Sequence, residues 1–143
     1  MSALEVGQVI SLRIRFNNSG TISKSPHPYL VVDIRQDLGA IEIAQLDSLA
    51  GKEHKAAFRS NKVVFCTNPN ETVIDKDSYI QLDNIILVED YPELVKFRRQ
   101  PDKLSQTKLD VVLRAYHQYH SNNTIDENKI VYMDQAEIQQ LNP

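Results

Sequence analysis

The sequence predicts a mainly β protein, a small barrel or sandwich, with one amphipathic α-helix packed on it towards the C-terminal end. Three observations point there. Before Pro101, apolar residues either alternate with polar ones or run together with β-branched side chains, in segment after segment. No helical three-and-four spacing occurs in that stretch, which sets the chain apart from alternating β and α units. After Pro101 the period changes to that of a helix. At 143 residues the chain is the size of one domain, residues 1–143, built around a single core that needs neither a disulfide nor a metal to hold it.

The elements follow in order. In "QVISLRIRF", Ile10, Leu12, Ile14 and Phe16 point one way while Ser11, Arg13 and Arg15 point the other, the period of a half-buried strand. "NNSGTISKSPHP" gathers turn formers into a long exposed loop. "YLVVDI" is a continuous apolar run, expected as a central strand with Pro28 where a missing N–H costs least. A hairpin turn, "RQDLG", leads to "GAIEIAQLDS", where the apolar phase shifts from Ile41 and Ile43 to Ala44 and Leu46, so a bulge is expected there. "KVVFCT" reads as a strand, "NPNETVIDKD" as a turn-rich crossing, and "SYIQLDNIILVED" as a strand pair or one strand bent at Asp83 and Asn84. In "KLSQTKLDVVLRAYHQYH", Leu109, Val112, Leu113, Tyr116 and Tyr119 form a helical stripe with Ser105 as N-cap. "KIVYM" is expected as a late strand, and "DQAEIQQL" as a short helix capped by Asp134.

Composition narrows the function. A net charge of -3 argues against a surface wholly given to nucleic acid, leaving local basic patches: Arg13 with Arg15, and Lys96, Arg98, Arg99 and Lys103. No apolar stretch is long enough to span a bilayer, and "MSALEVGQVI" has neither a basic n-region nor a cleavable apolar core, so a cytoplasmic location is expected. Cys66 stands alone, without a disulfide partner or CxxC spacing. With four glycines, and no phosphate loop, HExxH pair or GxSxG elbow, nucleotide hydrolysis is not expected. His27, His54, His117 and His120 do not have the spacing of a metal set; no metal and no cofactor is implied.

The order "GQVISLRIRF", a polar loop, "HPYLVVDI", a hairpin to "IEIAQLDS", then "SYIQLDNIILVED" and "LSQTKLDVVLRAYHQY" resembles the MazF/PemK toxins of bacterial toxin–antitoxin pairs. The likeness runs over residues 7–119, with 121–143 as an extension. It implies an SH3-like barrel with a C-terminal helix, a homodimer, metal-independent cleavage of single-stranded RNA, and silencing by an antitoxin protein. In that family an arginine before the proline of the second strand and a threonine or serine closing the third carry the chemistry. Here those places hold His27-Pro28 and Leu46-Asp47-Ser48, so the arginine is absent.

Metal-free RNA cleavage needs a base for the 2′-hydroxyl, an acid for the leaving oxygen and positive charge against the phosphorane. The expected catalytic residues are therefore His27 as acid or base, Asp47 as base or as the group orienting the imidazole, and Ser48 as a donor to a phosphate oxygen. Arg13, Arg15 and Lys24 are expected to supply the positive charge that binds substrate. A rival from another class is a PemK-like binding or regulatory module without nuclease activity, and a third is an unrelated adaptor barrel.

Overall fold

The computed structural model describes residues 2–64 and 76–143; Cys66, the far end of the "KVVFCT" strand and most of the turn-rich crossing lie outside them. The architecture is mainly β with a helix packed on the sheet, as the patterning predicts. Among the described residues seven strands form one sheet: β1 (Val9–Leu12), β2 (His27–Arg35), β3 (Ala40–Ser48), β4 (Asn61–Val64), β5 (Ser78–Gln81), β6 (Ile85–Glu89) and β7 (Ile130–Met133).

The longest strands, β2 and β3, form the central hairpin, and β3 is the hub. One edge pairs with β2, from Tyr29↔Gln45 to Arg35↔Ala40. The other edge is shared, β6 taking Ala40–Ile43 and β5 taking Leu46–Ser48, both antiparallel. β5 and β6 thus succeed one another along β3, the strand broken at Asp83 and Asn84 that the sequence suggests. β1 adds to β2, β4 to β5, and β7 runs parallel to β6.

Burial on both faces of the hairpin explains a difference from expectation. Ile41 and Ile43 enter one core with Ile10, Leu12, Tyr29, Val31 and Met133, while Ala44 and Leu46 enter another with Val9, Leu30 and Ile80. The apolar phase shift in β3 is therefore a strand buried on both sides with its period intact, and the bulge falls on its partner, between Val31 and Asp33 of β2. Two apolar layers replace the single core expected.

The second layer is roofed by α1 (Gln106–Asn122), which buries Leu109, Val112 and Tyr116, with Leu113 and Tyr119 half-buried beside them. Ser105 occupies the N-cap position, although its side chain makes no capping hydrogen bond. The chain passes under this helix at Gly7, whose φ of +98° and the 2.9 Å from an added Cβ to Leu109 Cδ2 leave room only for glycine. Within this layer the Tyr116 hydroxyl donates to the Glu42 carboxylate, which also takes Arg35 Nη1 at 3.3 Å. Burial first, then the charge of Glu42, pushes the Tyr116 phenol far above its ordinary range. The His120 ring packs tilted against Tyr116, centres 4.1 Å apart, and its Nε2 lies 2.6 Å from Leu82 O. No described helix is long and apolar enough to cross a membrane.

The first layer is closed by β7 and α2 (Gln135–Leu141), which buries Ile138; Asp134 caps α2 by accepting from Glu137 N at 2.9 Å, as expected. Among the described residues no ladder joins β7 to the chain after β1. Side chains do it instead: Arg15 Nη2 donates to Tyr132 O at 2.9 Å, and Asn18 Nδ2 to Ile130 O at 2.8 Å. Arg15 also grips Glu137 of α2, Nε to Oε2 at 2.8 Å. Arg15→Ala is expected to cost about 1–2 kcal/mol, since the pair is partly solvated. The measurement is a thermal melt several degrees lower, with α2 amides exchanging faster while α1 is unchanged; equal exchange in both helices would remove Arg15 as the latch.

Candidate functional site

Beyond Gln45 the third strand leaves β2 and turns to β5, pairing Asp47 with Tyr79 and Ser48 with Ser78. At this divergence lies a pocket of about 350 Å3 whose lining includes Ser11, Pro28, Asp47, Ser48, Lys76 and Arg99. Divergence of two strands exposes backbone and side chains without opening the core, so polar groups can converge there while the scaffold stays rigid.

Asp47 is the most constrained group of the pocket. Its Oδ2 accepts from the Tyr79 hydroxyl at 3.1 Å and from Lys52 Nζ at 3.3 Å, and its Oδ1 from Ser48 N at 3.1 Å. Tyr79 is buried, and desolvation, then the Asp47 charge, pushes its phenol up to about 12, so at neutral pH it stays a donor to that carboxylate. Burial, with a smaller contribution from Asp47, likewise raises Tyr29.

Arg99 reaches the pocket by a route the sequence does not announce. After β6 the chain makes a 3-10 turn over Pro92–Phe97, Arg98 bridges Ile10, and Arg99 N donates to Val9 O at 2.9 Å, so this segment returns along the outer edge of β1. The side chains of Arg99 and Lys76 have no carboxylate partner among the described residues, nor does the Ser48 hydroxyl have a hydrogen bond. Among the described residues no three His, Cys, Asp or Glu converge as metal ligands do. The cations lining this pocket are Lys76 and Arg99, while Lys52 is paired with Asp47 at its side.

The other residues singled out in the sequence are spread around this pocket. His27 opens β2 opposite Leu12, half-exposed, its imidazole without a hydrogen bond among the described residues; its neighbour Pro28, not the imidazole, lines the pocket. Asp47 and Ser48 are therefore brought together, and His27 stands beside them. Arg13 sits in an adjoining hollow of about 330 Å3 with Lys96, Pro26 and Phe97, and Ser11 lines both. Arg13 Nε donates to Ser23 O at 3.0 Å, and its backbone N–H and carbonyl are both held by the Asn142 side chain. Arg15 is committed to Glu137, Asn18 and Tyr132 O, and Lys24 is exposed in the loop, lining neither hollow.

Sequence reasoning did not pick out Ser11, Lys52, Lys76 or Tyr79 for the site. It marked Arg99 only as part of a basic cluster, and the one available signal was that this cluster directly follows the last strand before the helix. The chain matches no model of a known protein family, and no curated protein matches it.

The buried phenols carry a pH prediction. Their folded values exceed the unfolded value of about 10, so the folded state holds protons that the unfolded state releases. Stability from Tyr29, Tyr79 and Tyr116 is complete below pH about 10 and is lost as pH rises through the folded values, the lowest of which is about 12 for Tyr79. In an alkaline titration their phenolate absorbance is expected to appear together with loss of far-ultraviolet β signal. Full ionisation of all six tyrosines near pH 10 with the fold intact would contradict this.

Proposed function

We propose that the protein is a MazF/PemK-like endoribonuclease that cleaves single-stranded RNA without a metal, with the scissile phosphate in the Asp47–Ser48 pocket. The supporting observation is the return of Arg99 to that pocket. An arginine and a strand-end hydroxyl are the pair implied by the sequence resemblance; with histidine at position 27, Arg99 supplies the guanidinium from another part of the chain, lining the same pocket as Ser48. Guanidinium is charged at every working pH and presents a fork that fits two phosphate oxygens.

In this reading Asp47 takes the 2′-hydroxyl proton, O2′ bonds to phosphorus, and the P–O5′ bond breaks. Arg99 and Lys76 stabilise the charge that gathers on the equatorial oxygens. The departing O5′ takes its proton from Lys76 or from water, leaving a 2′,3′-cyclic phosphate and a 5′-hydroxyl. The adjoining hollow at Arg13 and Lys96 extends the strand's path, and an antitoxin segment competes for the same groove. A homodimer and a cytoplasmic location belong to the same reading.

A second reading, a binding module without cleavage, draws on two observations: His27 lies outside the pocket, and Asp47 is already held by Lys52 and Tyr79. Incubating a mixed RNA pool with the full chain in EDTA separates them. Cyclic-phosphate ends that vanish with Asp47→Asn support the nuclease; tight binding of uncut RNA supports the module. RNA neither bound nor cut removes both.

A further inference from the structure

A larger hollow, about 870 Å3, lies between the segment leading into β4 and the last turns of α1. Phe58, Arg59 and Lys62 line one side, and Gln118, Tyr119 and Asn122 the other. Phe58 is 50% exposed, an apolar ring left open to solvent at the rim, with His54 edge-on at 6.1 Å. Arg59 and Lys62 have no carboxylate partner among the described residues, and no acidic residue lines the hollow. The side-chain amides of Gln118 and Asn122 make no hydrogen bond among the described residues.

An exposed aromatic ring, two cations without a carboxylate partner among the described residues and amides uncommitted among them are what a base with its phosphate requires. The ring stacks on the base whatever its identity, the cations meet the phosphate, and the amides reach the base edge. Two lysines stand between the hollows in sequence. The 3-10 turn Glu53–Ala57 occupies the same stretch, with Lys52 bonded to Asp47 and Lys55 Nζ 6.0 Å from the Tyr79 ring centre. The one acidic residue of that stretch, Glu53, is exposed and accepts from Gly51 N at 3.2 Å.

We propose that this hollow is a second nucleotide subsite, where one base of the bound strand stacks on Phe58 and its phosphate meets Arg59 and Lys62. The identity of the strand rests on the RNA reading above. The subsite grips the strand away from the scissile phosphate, so it sets the length of RNA the protein holds and takes no part in the bond change.

The test uses the full chain and fluorescein-labelled oligodeoxyuridylates of twelve and four nucleotides, which lack the 2′-hydroxyl and are not cut. Phe58→Ala is expected to weaken the twelve-mer about tenfold and the four-mer far less. The Arg59→Ala, Lys62→Ala double variant is expected to reduce the salt slope of twelve-mer binding by about 0.7, the loss of one phosphate contact. Phe58 and Arg59 are exposed and Lys62 is half-buried at the start of β4, and melting checks that the fold is kept. If twelve-mer binding ignores both variants while Arg99→Ala weakens it, the subsite is wrong and the proposed function stands. If the wild type binds no oligomer, the subsite fails, and the RNA-cleavage assay alone decides the proposed function. Uridine monophosphate bound as tightly as the twelve-mer would assign the hollow to a free nucleotide. Polyglutamate competing from the hollow, with oligomer affinity indifferent to Phe58→Ala, would assign it to acidic protein. Either result overturns the strand subsite.

Discussion

Arg99→Ala is expected to lower RNA cleavage by about a hundredfold or more, the usual effect of removing one preorganised donor from a developing oxyanion. The loss falls on kcat more than on KM if the guanidinium meets charge that appears only in the transition state. Arg99→Lys keeps the charge without the fork and is expected to restore part of the rate. The thermal midpoint should not move, because the Arg99 side chain has no ion-pair partner among the described residues and the segment is held by backbone contacts, Arg99 N donating to Val9 O at 2.9 Å beside the Arg98–Ile10 bridge. Lys24→Ala is the control, an exposed loop cation lining neither hollow, and should cut at the wild-type rate. Single-turnover assays in EDTA with these three variants decide the matter: equal rates for Arg99→Ala and wild type would mean that the pocket's guanidinium is not used.

The largest effect on stability is expected at the buried pair under α1. Glu42 is 6% exposed and its carboxylate takes hydrogen bonds from Tyr116 and, at 3.3 Å, from Arg35. Tyr116→Phe removes the buried donor and leaves the carboxylate facing an apolar ring, at a cost of about 2–3 kcal/mol. For a chain of this size that lowers the thermal midpoint by roughly 5–10 °C. The double variant Glu42→Met with Tyr116→Phe removes both polar partners and fills the space with apolar atoms, and is expected to recover most of the loss. The coupling energy of the cycle is the quantity to measure; additive single effects would show that the pair acts as two separate side chains.

Much of the scaffold was legible because its periods are local. Ile10, Leu12 and Ile14 enter one core as their alternation requires, and Leu109, Val112 and Tyr116 bury as their helical spacing requires. Asp134 caps its helix as its position requires. The misplaced bulge shows where period fails as a guide: a strand covered on both faces looks in sequence like one that has slipped, and only the partner strand reveals which has the extra residue. The pocket was half legible. Asp47 and Ser48 are neighbours in sequence and arrive together. Arg99 arrives through hydrogen bonds to β1, and Tyr79 and Lys52 through the pairing of β3 with β5 and the turn after it; these are non-local contacts without a sequence period. Arg15 shows the converse. It alternates outward from β1 as a free cation should, yet α2, far along the chain, supplies the Glu137 that occupies it.

The side-chain seam at β7 bears on how the molecule behaves in a crowd of its own copies. An uncovered outer strand is a template on which a stranger's backbone can zip, and Ile130 and Tyr132, 39% and 47% exposed, make this one greasy as well. The carbonyls of those same two residues are already spoken for by Asn18 and Arg15, so an incoming strand must first dislodge a charged fork and an amide. Self-association by strand addition is thereby held off at this rim by side chains, where no ladder among the described residues covers it.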